Sequence, residues 1–190
     1  MVSPPRSHRM MLGGWKAPTP NLKSNFNPLG LILFLLIFLI MFGVFIGFTG
    51  NQKTPVTAEQ IKSVIVEQGY EPQDITDKYY EYDPAFKATL VKCVAFEEED
   101  IRFDYFEFNN SNSAIDIYGQ AYTEIILKYN AIHKIEIDHQ MANFSIYTLD
   151  SMGKYNVAIY VENTAIYANC NSANKNEINK ILDAIDYLEP

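Results

Sequence analysis

Apolar and polar positions along residues 57–190 alternate between two periods, and each stretch predicts an element. Thr57 with Gln60 three residues on is a capping-box pattern, opening a helix that sets Ile61, Val64, Ile65 and Gln68 on one face. Gly69 is placed to end it. Residues 74–83 show no sustained period and read as a link. Residues 89–96 and 101–108 read as two strands, and Glu97, Glu98, Glu99 and Asp100 between them make a hairpin turn. Ser113 with Asp116 opens a second helix, with Ala114, Tyr118, Ala121 and Ile125 on one side. Residues 133–138 fit either a strand or the irregular end of that helix.

Three further strands follow at 144–149, 154–161 and 164–170. Gly153 suits a positive φ in the first turn, and Asn163 suits the left-handed region in the second. Asn174 and Glu177 open a last helix with Ile178, Ile181, Leu182 and Ile185 aligned. Because hairpins dominate, the pattern predicts an α+β domain: an antiparallel sheet of five to six strands with three packed helices.

Ahead of this domain, residues 29–48, opening at Leu29 and closing at Phe48, carry no charge. A hydrocarbon core about 30 Å thick needs about 20 apolar residues in a helix, and the run has that length. A cleaved signal has an apolar region of roughly 7–15 residues followed by small ones; here Phe45, Ile46 and Phe48 stand at the exit. The expectation is an uncleaved, single-pass transmembrane helix acting as a signal-anchor, with Gly43 and Gly47 as a small-residue pair for helix–helix contact.

Residues 1–28 hold Arg6, Arg9, Lys16 and Lys23, five prolines and no acid. They read as a disordered basic tail on the cytoplasmic side, which sets the C-terminal domain outside. Residues 49–56 then form a short polar linker, and 57–190 the extracytoplasmic α+β domain.

Charge sharpens this division. Residues 51–190 hold 11 basic and all 23 acidic residues, so their formal charge is 11 − 23 = −12. Phosphate binding needs basic patches, so nucleic acid is excluded as a partner. His133 and His139 bracket two acids, but six residues of strand separate them by about 20 Å, too far for one metal ion. The run from Glu97 to Asp100 lacks the ligand spacing and glycine of a calcium loop. No metal or cofactor site is expected. Cys93 and Cys170 are the only cysteines, and two readings stay open: a disulfide in an oxidising compartment, or two buried thiols. Tyr79, Tyr80 and Tyr82 cluster as a candidate aromatic binding surface.

Several short segments in order carry a resemblance: Gly69-Tyr70-Glu71, Asp74-Ile75-Thr76, Tyr105-Phe106-Glu107-Phe108, Ala114 with Tyr118, Tyr147-Thr148-Leu149, Gly153-Lys154-Tyr155, Asn163-Thr164 and Ile166-Tyr167. Over residues 57–188 the chain resembles small exported, membrane-anchored or lipid-anchored proteins of unknown function from low-GC Gram-positive bacteria. The resemblance implies an extracytoplasmic setting and no activity or site residues. The functional expectation is a non-enzymatic binding or interaction module of the cell envelope, at the membrane, with an envelope protein or wall component as partner. The alternative is a cell-wall hydrolase working through paired carboxylates.

Overall fold

In a computed structural model, the described residues are 32–40, 52–82, 84–129 and 131–188. They fall in two compact units, one holding 32–40 and the other holding the rest. In the first, residues 32–40 form helix α1, with every side chain exposed.

The second unit is built on one seven-stranded sheet. Its strands are β1 (Gln73–Asp74), β2 (Leu90–Glu98), β3 (Ile101–Phe108), β4 (Lys134–Gln140), β5 (Phe144–Ser151), β6 (Lys154–Val161) and β7 (Thr164–Asn171). They lie in the order β1-β2-β3-β7-β6-β5-β4, and every neighbouring pair is antiparallel. Four helices pack on it: α2 (Ala58–Glu67), α3 (Thr76–Tyr82), α4 (Ser111–Tyr129) and α5 (Lys175–Ala184).

Side chains alternate across the sheet, and both faces are covered. On one, Phe103, Tyr105, Ile146, Val157, Ile159 and Ile166 pack with Ile61 and Ile65 of α2 and Ile178, Ile181 and Leu182 of α5. On the other, Phe106 and Phe108 pack with Ala114 and Ile117 of α4, while Tyr147, Leu149 and Ala158 lie under Ala121 and Ile125. Each fully buried isoleucine or leucine contributes about 1.5–3 kcal/mol. Burial on both faces is why β6 reads as a nearly continuous apolar run.

The predicted caps of α2 are present. Thr57 Oγ1 accepts from Gln60 N at 3.3 Å, and Gln60 Oε1 accepts from Thr57 N at 2.8 Å. At the other end Gly69 has φ +91°, with Tyr70 N donating to Ile65 O and Gly69 N to Val66 O. These two bonds close a Schellman motif.

Several expectations are corrected. The sheet has seven strands, not five to six. Residues 73–74 pair with Val94 and Ala95 as β1, a strand too short to show a period. Of the two readings of residues 133–138 the strand is the one found, over residues 134–140, and its polar composition follows from its edge position. The supposed link at 74–83 also holds α3. Among the described residues no helix is long and apolar enough to cross a membrane. The single-pass, signal-anchor reading is corrected accordingly. Leu29, Gly43, Gly47 and Phe48 lie outside the described residues.

The described part of the predicted linker, residues 52–56, is bound to the domain. Lys53 is 8% exposed, and its Nζ donates to Asp186 O at 2.6 Å. Asn143 Nδ2 donates to Lys53 O at 2.8 Å, Val56 N donates to Tyr187 Oη at 2.9 Å, and Tyr105 Oη donates to Val56 O at 2.5 Å.

Candidate functional site

Cys93, Cys170, Tyr79, Tyr80 and Asp100, all singled out in the sequence, serve the fold; the side chain of Tyr82 lies outside the described residues. Cys93 and Cys170 are both free and buried. Cys93 lies on the α4 face of β2 with Phe106, and Cys170 on the α5 face of β7, with β3 between their strands. That geometry closes the disulfide reading. Burial pushes the Cys170 thiol up to about 11 and raises Cys93 further, so neither is a ready nucleophile.

Tyr79 packs 5.1 Å from Phe106, and Tyr80 Oη donates to Leu90 O at 2.9 Å, so these two are half-buried against the core. Asp100 of the acidic turn accepts from Asn171 N at 2.8 Å and Asn174 Nδ2 at 2.7 Å. The hairpin tip thereby latches onto the start of α5. Asn174 spends its side chain on this latch and makes no capping bond to the helix.

Other carboxylates are similarly engaged. Asp74 accepts from Thr76 N, Thr76 Oγ1 and Lys92 Nζ, at 3.1, 2.6 and 2.7 Å. The Lys92 ammonium, with the Thr76 hydroxyl, holds its carboxyl well below the usual range. Asp104 is 5% exposed with Arg102 Nε donating to it at 2.7 Å; burial outweighs the guanidinium and raises its carboxyl. Glu107 accepts from Ala58 N at 2.9 Å at the start of α2. Asp150 accepts from Ser172 Oγ at 2.7 Å.

Two open surfaces stand out among the described residues of the second unit. The first is the outward side of α4. Ile115, Gly119, Thr123 and Leu127 recur every fourth residue and line a shallow groove together with Phe86 and the charged Asp116, Glu124 and Lys128. Ile115 and Leu127 are 42% and 82% exposed. The opposite side of the same helix is fixed to the sheet by Ala114, Ile117, Ala121 and Ile125, so these residues cannot rotate inward. No Cβ added at Gly119 would meet an atom within 4 Å.

The second is the sheet edge at β4, where Ile135 and Ile137 are exposed. Beside it, tyrosines from α4 and the sheet form a row: Tyr118 to Tyr160 at 5.3 Å, Tyr118 to Tyr122 at 5.9 Å, and Tyr122 to Tyr147 at 4.6 Å. Tyr147 Oη donates to Glu136 at 2.8 Å, and Lys134 Nζ lies 2.6 Å from the same carboxylate. These two partners hold the Glu136 carboxyl below its ordinary value. Burial, then the Asp138 charge, pushes the Tyr118 hydroxyl up to about 12. His133 precedes β4 and His139 lies within it, so extended strand separates them; the His139 ring sits 5.7 Å from Phe144.

Sequence reasoning missed the outer strip of α4 because it looked for the helix's buried face. The four-residue repeat from Ile115 to Leu127 was the available signal.

No protein-family model matches the chain, and no curated protein matches it. Among solved structures, a GTP-binding regulator from Thermotoga maritima superposes with a TM-score of 0.42 and 13% identity, over 73% of this chain and 95% of that one. A likeness this loose carries no argument.

Proposed function

We propose that this chain is a non-enzymatic binding module that holds a protein partner on the outer strip of α4. The carrying observation is the pair of exposed apolar side chains, Ile115 and Leu127, on a helix already anchored through its other side. Exposed apolar surface lined up in a groove is what partner helices or apolar segments bury. Gly119 leaves the middle of the strip open to close backbone approach. An envelope partner for this module is supported by the resemblance of residues 57–188 to small exported proteins.

The test is site-specific photocrosslinking of the full chain in the producing cell. A photoreactive residue at Leu127 should give one discrete adduct, lost when Ile115→Asp is added. The same probe at Val66, exposed on α2, should not give that adduct. Indistinguishable adduct patterns at Leu127 and Val66 would overturn the proposal.

A further inference from the structure

Strand β4 ends the sheet, and its seven residues are exposed except for His139, which is half-buried. The phase of its backbone is set by the turn that follows. Met141 N donates to Phe144 O at 2.8 Å, which makes that opposed pair a hydrogen-bonded one. Hydrogen-bonded pairs alternate along an antiparallel ladder. By the register of β4 on β5, Ile135, Ile137 and His139 therefore turn their backbone groups toward β5. Lys134, Glu136, Asp138 and Gln140 turn theirs outward. The same alternation sorts the side chains. Ile135, Ile137 and His139 lie on the α5 face of the sheet, opposite Asp150, Thr148 and Ile146. Lys134, Glu136 and Asp138 lie on the α4 face, where Glu136 meets Tyr147.

We propose that two copies of this chain join β4 to β4, antiparallel, with Glu136 opposite its own counterpart, so that the two sheets become one. This surface is separate from the α4 strip, and the inference stands or falls independently of it. The occupant is a second copy because the strand's charges complement their own reversal. With the centre at Glu136, Lys134 faces the partner's Asp138 and Asp138 faces the partner's Lys134. These pairs sit where the backbone groups point outward, so each exchanges two hydrogen bonds. On the other face, Ile135 lies against the partner's Ile137 at a non-hydrogen-bonded position, where side chains come closest. The central Glu136 pair is tolerated because each carboxylate already holds Lys134 at 2.6 Å and the Tyr147 hydroxyl at 2.8 Å.

Neighbouring registers that keep like faces together are worse. Centring on Ile137 sets Glu136 against the partner's Asp138 twice. Centring on Ile135 opposes only residues 134–136 of the strand.

The test reads the register directly. In the full chain, Glu136→Cys places two thiols opposite each other within disulfide reach. It should form a crosslinked dimer under mild oxidation far faster than Met152→Cys, a control position on the exposed β5–β6 turn. Cys93 and Cys170 are buried and do not compete. Adding Lys134→Asp to Glu136→Cys should slow the crosslink about tenfold, since two cross-strand attractions become repulsions. Adding Asp138→Lys as well should restore it by reversing both signs. Equal crosslinking at positions 136 and 152 would overturn the proposal. So would a Lys134→Asp effect that Asp138→Lys fails to rescue.

Discussion

Asp74 shows how much one carboxylate does at the residue scale. It orders the turn into α3 through Thr76, whose Oγ1 in turn accepts from Cys93 N at 2.9 Å, and it holds Lys92 across the strand pair. Its pKa is lowered in the fold, so the charged form is the one the fold favours. The stability it contributes is present above the unfolded value of about 3.9 and is lost as pH falls through the folded value. Asp74→Asn should therefore cost up to about 1 kcal/mol at pH 7, the upper end for a solvent-exposed pair. It should also make stability fall less steeply with acid below about pH 4. Urea unfolding midpoints of both proteins from pH 7 down to about pH 2.5, which covers the upper part of that window, check this. Asp104 runs the other way: burial raises its pKa, so its ionisation weakens the fold as pH rises above the unfolded value.

The hairpins show how element-scale chemistry is distributed. At the β5–β6 turn both Met152 and Gly153 have positive φ, 55° and 75°, which is a type I′ arrangement. Glycine adopts it freely, but for a residue with a Cβ, such as methionine, the left-handed region costs about 1–2 kcal/mol, part of which asparagine recovers by local hydrogen bonding. Met152 is 69% exposed and contributes little packing in return. Met152→Asn should stabilise the protein by roughly 0.5–1 kcal/mol and raise the midpoint of thermal unfolding followed by circular dichroism. The β6–β7 turn differs from expectation: Glu162, not Asn163, takes the positive φ of 51°. Asn163 is used otherwise, its Nδ2 donating to Phe108 O at 2.7 Å. A tertiary bond at the end of β3 thus overrides the local preference that the sequence suggested.

Across the whole molecule, the two ends of the domain are tied to each other. Lys53 reaches Asp186, Val56 reaches Tyr187, and Tyr105 from the middle of the sheet joins them. Lys53→Met removes a charge-assisted hydrogen bond of about 1.5–3 kcal/mol while keeping the apolar stem over Phe144, where Nζ now lies 5.4 Å from the ring. The variant should lower the urea midpoint and speed amide exchange selectively at residues 53–56. Uniform exchange across the domain would contradict a clamp of this kind.

The division between what was legible and what was not follows interaction range. The sequence by itself determined the α+β class, both caps of α2, the β2–β3 hairpin, the last three strands and the buried faces of α4 and α5. These rest on periods and caps spanning a few residues, which the chain prints in order. Only the tertiary structure decided that residues 73–74 are a strand, because two residues have no period and gain their identity from pairing with Val94 and Ala95. It alone decided that residues 134–140 form the sheet edge, because alternation between lysine, isoleucine and acid looks the same in a strand or a frayed helix end. It set Cys93 and Cys170 on opposite faces, since face depends on register along strands that β3 separates. And it turned Lys53, an ordinary exposed lysine by sequence, into a buried clamp, because its partner lies 133 residues away.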